Sequence, residues 1–204
     1  MNDVKQTKFA VSRKLMESLL SLQNALNPKL KQSYTNKIRL DFERMKIVAT
    51  DGYILCQHTL LESDKDSFAS IGHFESVSLE FSKDALKNLM KDKKNNNFFI
   101  ERQSTGIIFG TPTQICLAFV SDDYYPQYEK VLPYAEKATM TISFDFDLLE
   151  SLVKSMQKHK DVNKFNVITL DIINEQAPII VRSGNNTQFK DSEINVLMPV
   201  YSKK

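Results

Sequence analysis

The feature that most constrains this chain is an internal repeat, and a repeated grammar limits the fold before any single residue does. Three stretches share it: FAVSRKLMESLLSLQNAL from Phe9, LEFSKDALKNLMKDKK from Leu79, and ISFDFDLLESLVKSMQKHK from Ile142. Each opens as a short alternating strand. Each then offers a helix cap, Ser12, Ser82 or Asp145, whose side-chain oxygen can accept from the free N–H groups of a first helical turn. Apolar residues follow in one register. Three residues after the cap come Leu15, Ala85 and Leu148, and four after it Met16, Leu86 and Leu149. Seven and eight after it come Leu19 and Leu20, Leu89 and Met90, Leu152 and Val153. That spacing predicts three amphipathic helices with one buried face each.

Behind each helix the period changes to two. NKIRLDFE and MKIVATDGYILCQHTLL follow the first helix. NNFFIERQ, TGIIFGTP and TQICLAFVS follow the second, and FNVITLDIINE, APIIVRSG and EINVLMPVYS follow the third. Such β-branched, alternating runs bounded by turn residues read as strands. A module is therefore one strand, one helix and about three more strands. The expected class is α+β, with antiparallel sheet and the helices on one face.

The joints differ. ESDKDSFASIGHFES, from Glu62, reads as a loop between the first two modules, and SDDYYPQYEKVLPYAEK, from Ser121, has two prolines and no period. The expected organisation is a two-module domain over 1–124 (modules about 8–71 and 75–122), a linker over 125–136, and a third module over 137–204.

Composition excludes several classes. Lys+Arg is 27 against Asp+Glu 25, a net charge of +2, so the surface as a whole is not a cationic glove for nucleic acid. One basic face balanced by an acidic one remains open. Cys56 and Cys116 have no ligand spacing to each other or to a histidine, and read as buried free thiols. His58, His73 and His159 share no metal spacing. Asp145 and Asp147 sit at a helix start, where carboxylates favour the positive end of the dipole, so capping accounts for them better than a metal does. No phosphate loop or nucleophile triad is present. No run reaches the ~20 apolar residues of a membrane span. The expectation is a soluble, cytoplasmic, non-enzymatic protein with no cofactor and no metal.

Three motifs then carry a resemblance. Ala49-Thr50-Asp51-Gly52-Tyr53-Ile54-Leu55 resembles the A-T-D-G-H-R-L hairpin of the bacterial β sliding clamp of DNA polymerase III. The run from Tyr125 to Pro133, YPQYEKVLP, resembles F-P-D-Y-R-R-V-L-P between that family's second and third domains. Val196-Leu197-Met198-Pro199-Val200 resembles V-V-M-P-M near its end. A lone Asp-Gly hairpin means nothing; the three in order, with modules between them, are specific. The likeness departs in places. Tyr53-Ile54 replaces His-Arg, Gln127 and Glu129 replace Asp and Arg, and three modules stand where the family carries an even number per chain.

The resemblance implies a ring that holds duplex DNA without reading its sequence and tethers a polymerase. Its lining would be cationic. Arg13 and Lys14, the stripe Lys83, Lys87, Lys91 and Lys94, and Lys154, Lys158 and Lys160 are the candidates; by residue type alone they are equally solubilising surface. The resemblance also implies a groove for a short peptide of the polymerase or the clamp loader. It would be formed by Thr50, Gly52, Tyr53, Ile54, Leu55, Pro126, Lys130, Val131, Val196, Leu197, Met198, Pro199 and Val200. The plain alternative is that these residues pack a domain junction. If the ring holds twelve modules, as in the family, three per chain imply a homo-tetramer, with the third module paired two-fold to its copy. A competing reading is a clamp-derived adaptor or decoy that keeps the groove and never encircles DNA. Chance likeness in an unrelated α+β protein is the third.

Overall fold

A computed structural model describes residues 7–82, 84–92, 95–132, 142–157, 168–174, 179–183 and 195–197. The chain divides into two compact units, Met1–Leu132 and Pro133–Lys204.

The first unit contains β1 (Lys8–Val11), α1 (Arg13–Leu22), β2 (Lys37–Asp41), β3 (Lys46–Thr50), β4 (Leu55–Thr59) and α2 (Glu62–Ser70). It continues with β5 (Val77–Phe81), α3 (Ala85–Leu89), β6 (Phe98–Arg102), β7 (Gly106–Gly110) and β8 (Ile115–Ser121). The eight strands form one antiparallel sheet in the order β1-β6-β7-β8-β5-β2-β3-β4. The two modules exchange their first strands. β1, from the first, pairs with β6 of the second, Lys8 opposite Glu101 through Val11 opposite Phe98. β5, from the second, lies between β8 of its own module and β2 of the first.

Period-two alternation puts Ile38, Leu40, Val77, Leu79, Phe98, Ile100, Ile107 and Phe109 into one core with Leu15, Met16, Leu19 and Leu22 of α1 and Leu86 and Leu89 of α3. α1 and α3 touch each other. Ser12 caps α1 as expected, its Oγ accepting from the Leu15 N–H at 2.9 Å.

Two elements depart from the sequence reading. The stretch after β4 is a helix, α2, and not a loop. It has no apolar stripe, so periodicity does not reveal it. Phe68 inserts between Phe42 and Phe109, with ring centroids 5.5 and 6.2 Å away, and supplies its apolar anchor. Gly72, at φ +88, stops the helix while the His73 N–H reaches back to the Phe68 carbonyl. Buried Asp64 ties α2 to the first module, accepting from the Ser12 N–H at 2.6 Å and the Ser12 hydroxyl at 2.7 Å. The second departure is α3, which begins at Ala85. Its cap position is Asp84, in the left-handed region at φ 62 with no side-chain cap bond, so Ser82 does not serve as the cap. The helix has only five residues because no side-chain cap starts it and the lysine- and asparagine-rich run from Lys91 to Asn97 follows it.

The second unit repeats the grammar once. α4 (Phe146–Gln157) is capped by Asp145, whose Oδ1 accepts from the Leu148 N–H at 3.0 Å. β9 (Ile168–Asp171), β10 (Ile179–Ser183) and β11 (Asn195–Leu197) form an antiparallel sheet in the order β11-β10-β9. Leu149 and Leu152 of α4 pack with Ile142 and Phe144 onto buried Ile179 and Val181. No helix among the described residues is long and apolar enough to cross a membrane.

Asp64→Ala is expected to destabilise the protein by about 2–3 kcal/mol, because two hydrogen bonds to a buried carboxylate are lost and the Ser12 donors are left unpaired. Lys65→Ala, at the far edge of a 4.0 Å exposed ion pair with Glu62, should leave stability unchanged. Urea midpoints of the two variants check the contrast.

Candidate functional site

The hairpin joining β3 to β4 closes with Thr50 opposite Leu55, leaving residues 51–54 as its tip. The tip is wired from inside. The Asp51 carboxylate accepts from the N–H groups of Tyr53 and Ile54, each at 2.9 Å, and those donors hold its carboxyl below the usual range. The Thr50 hydroxyl donates to the Ile54 carbonyl at 2.7 Å and accepts from the Gly52 N–H at 3.0 Å. Gly52 takes φ +90, where an L side chain is strained, and any Cβ there would lie 3.4 Å from the Tyr34 hydroxyl. With all its short-range donors answered locally, the tip projects Tyr53, 87% exposed, and Ile54 into solvent.

The segment after β8 lies on the opposite face of β2 and β3 from the helices. Tyr125 donates its hydroxyl to the Val48 carbonyl at 3.1 Å, and its ring meets Tyr34 edge-on at 6.3 Å. Tyr128 donates to the buried Asp41 carboxylate at 2.8 Å. The Glu129 carboxylate pairs with Arg44 at 3.6 Å. A short 3₁₀ turn, Tyr128–Val131, ends the run. Where β8 gives way to this segment, the buried Lys37 ammonium binds the Asp123 carboxylate and the Ser121 hydroxyl.

Asp41 is the centre of this fastening. Besides Tyr128 it accepts from the N–H groups of Glu43 and Arg44, at 3.1 and 3.0 Å, and from the Arg44 guanidinium at 3.2 Å. Burial alone would raise its pKa. The Arg44 N–H, the Tyr128 hydroxyl and the Arg44 charge outweigh burial and hold it below 3.8. Burial also pushes both tyrosine hydroxyls well above their ordinary range, so they stay protonated donors.

The structure sorts the groove residues. Thr50 is buried and its hydroxyl is engaged within the tip, so it shapes the hairpin and is not a contact surface. Tyr53, Ile54 and Leu55 stand at the hairpin end of β3. Pro126 follows Tyr125, the residue over Val48. Lys130 and Val131 lie beyond Tyr128 and Glu129, toward Arg44 in the β2–β3 turn, and Val131 is 71% exposed. β3 spans four residue steps between those ends, about 13 Å at ~3.3 Å per residue, so the two groups stand at opposite ends of that strand. Val196 and Leu197 are on β11, in the second unit. Met198, Pro199 and Val200 lie outside the described residues. Asp41, Tyr34, Val48 and Tyr124, the last a large exposed ring beside Tyr125, were not among the residues the sequence singled out. An aspartate inside the strand pattern KIRLD was the available signal for Asp41.

The cation expectations change more. Arg13 is not presented freely: its guanidinium donates to Glu17 at 2.8 Å and to the Asn95 carbonyl at 2.6 Å. Of the two described residues of the lysine stripe, Lys87 is on α3 and Lys91 lies past its end at Leu89. Lys14, Lys87 and Lys91 are exposed. Lys154 pairs with Glu150 at 2.8 Å. Lys83, Lys94, Lys158 and Lys160 lie outside the described residues, as does His159. Among the described residues no three His, Cys, Asp or Glu side chains are grouped to hold a metal ion. Cys116 is buried, which pushes its thiol up to about 11, and Cys56 is half-buried; both are free.

No protein-family model and no curated protein matches the chain. Solved structures do. The β subunit of DNA polymerase from Streptococcus pyogenes aligns at TM-score 0.70 and 13% identity, over 96% of this chain and 51% of that one. The DNA polymerase III β chain of Streptococcus pneumoniae aligns at 0.68 and 13%, over 95% and 49%. The sliding clamp of Bartonella birtlesii aligns at 0.58 and 20%, over 97% and 51%. The chain has the fold of the bacterial β sliding clamps and spans about half their length.

Asp41→Asn is expected to cost about 1–3 kcal/mol at neutral pH, as a charge-assisted network is weakened. Since the folded pKa of Asp41 lies below its unfolded value, its contribution is complete above 3.8 and disappears as pH falls through the folded pKa. Urea unfolding across that range should show wild type losing its advantage over Asp41→Asn on the acid side. Parallel curves would show that Asp41 is not the titrating group.

Proposed function

We propose that this chain is a DNA sliding clamp, a processivity factor that surrounds duplex DNA without sequence preference and tethers a polymerase through a peptide-binding ledge. The reading gives the protein no catalytic step and no cofactor. The observation that carries it is the hairpin and the segment after β8, fastened side by side on the clamp fold. A tip wired by its own Asp51 and Thr50 presents Tyr53 and Ile54 beside a strap fastened by Tyr125 and Tyr128. Exposed apolar side chains on a pre-organised backbone suit a short peptide with apolar anchors, because little ordering entropy remains to be lost on binding. Pro126, Lys130 and Val131 extend the ledge, and Val196 to Val200 are assigned to it from the motif.

Under this reading the first unit is a complete two-module clamp domain and the second a half-domain, and several copies close into a homo-oligomeric ring, four if the ring holds twelve modules. The lining would use Lys14, Lys87 and Lys91 first, with Lys83, Lys94, Lys154, Lys158 and Lys160 assigned from sequence. Arg13 would act mainly by holding Glu17 and Asn95. Phosphate contacts of this kind are non-specific and weaken as salt rises.

The adaptor reading keeps the ledge and gives up the ring. The observation that favours it, among the described residues, is that α3 is five residues long and Arg13 is engaged internally.

Retention on nicked circular DNA, with release when the circle is linearised, is expected of a ring; equal retention on both forms, or none, leaves the adaptor. A peptide that binds the protein should lose roughly ten-fold or more in affinity to Tyr53→Ala or Ile54→Asp, as truncation of a central anchor does, while the exposed distant change Lys65→Ala leaves it unchanged. Fluorescence anisotropy with a labelled polymerase peptide reads this.

A further inference from the structure

We propose that the hairpin tip selects for positive charge, so that the peptide it receives carries a lysine or arginine beside its apolar anchors. The inference rests on the peptide-binding reading above and adds the chemistry of the partner.

The tip runs from Asp51 to Ile54, and the Asp51 carboxylate is its only charge. The motif it resembles has histidine and arginine where this chain has Tyr53 and Ile54, so the turn here has lost its own cation. The carboxylate is not neutralised from within. Its bonds to the Tyr53 and Ile54 N–H groups, each at 2.9 Å, both fall on Oδ1. Those donors are neutral amides, which keep the group ionised and leave its charge in place. Oδ2 retains lone pairs for a further donor.

The basic side chains around the hairpin do not cancel that charge. Lys37, one step beyond the pairing of Ile38 with Ala49, stands level with Thr50. It is buried, and its ammonium is held by Asp123 and Ser121. Lys46 opens β3, about 13 Å from Thr50 at ~3.3 Å per residue. That exceeds the roughly 8 Å over which physiological salt lets exposed charges act. Among the described residues neither of these, nor Lys29 or Lys31 in the loop before β2, forms an ion pair with Asp51.

The apolar part of the same turn completes the fit. Tyr53 is 87% exposed and Ile54 52%. An ammonium or guanidinium brought to this turn gains a carboxylate partner and an exposed aromatic face. Its aliphatic stem gains Ile54 to pack on. A carboxylate brought to the same place would meet only like charge. The turn is already ordered, so little entropy is lost when the partner arrives.

Fluorescence anisotropy tests this with labelled peptides that share leucine and phenylalanine anchors. They differ in one flanking residue, lysine, glutamine or glutamate, placed at each end of the anchors in turn. At low salt, wild type is expected to bind the lysine peptide roughly three- to ten-fold more tightly than the glutamate peptide from one of the two ends, attraction of one and repulsion of the other combined. Glutamine should fall between, and the ratio should shrink toward one as salt rises. Asp51→Asn keeps an oxygen for the two N–H groups but not the charge, and should bring the ratio within about two-fold. Ile54→Arg returns a cation to the turn and should push the ratio below one; it decides the matter if Asp51→Asn disturbs the tip. Lys65→Ala, on α2, should keep the wild-type ratio. Equal binding of the lysine and glutamate peptides, or a lysine preference that survives both tip variants, would overturn the inference and leave the peptide site standing. Absence of binding, or binding untouched by Tyr53→Ala, would defeat the peptide site itself and the inference with it.

Discussion

The first unit depends on one exchange: each module gives its opening strand to the sheet of the other. β1 has a hydrogen-bonding partner only because β6 is there, and β5 joins the two meanders into a single sheet. Neither half could keep its backbone groups satisfied alone, and unpaired backbone under a core costs about as much as a lost hydrogen bond. The helices follow from this. α1 and α3 share one core because the sheet beneath them is shared, and α2 is drawn onto β1 by Asp64 and by the insertion of Phe68.

The same sheet has a second covered face. Most of β2 and β3 would present polar side chains there: Lys37, Arg39, Asp41, Lys46. Buried ionisable groups are tolerated when each finds a partner. Lys37 finds Asp123 and Ser121, and Asp41 finds Tyr128 and Arg44. The segment after β8 is thus held by paired charges and tyrosine hydroxyls together with the ring contact of Tyr125 on Tyr34. Tyr124 and Val131, its exposed large side chains, take no part in that fastening. Glu129 illustrates the economy of this surface: where the clamp motif has an arginine, this chain has an acid and a compensating Arg44 across the strap.

The repeat, the class, every strand of the first unit and two of the three helix caps were legible in the sequence, because the periods of strand and helix are written directly in apolar spacing. α2 was not, since its hold comes from one aromatic ring and one carboxylate, each satisfied by residues distant in the chain. The extent of α3 was not either. Its apolar spacing continues to Met90, but backbone conformation at Asp84 and the lysine- and asparagine-rich run beyond Lys91 shorten it, so Lys91 falls past the end of the helix.

The hairpin and the segment after β8 divide the same way. The hairpin tip was determined locally: Asp51 and Thr50 bond to backbone within four residues of themselves, so the words of the motif carry the geometry with them. Which residues of the following segment face solvent was decided only by the tertiary structure. Tyr125 and Tyr128 turn inward because Val48 and Asp41, far away in sequence, offer acceptors there, and Tyr124 and Val131 are left outside in consequence. Sequence alone specifies interactions whose partners are close along the chain; an interaction between distant residues has no local signature until the sheet brings its two ends together.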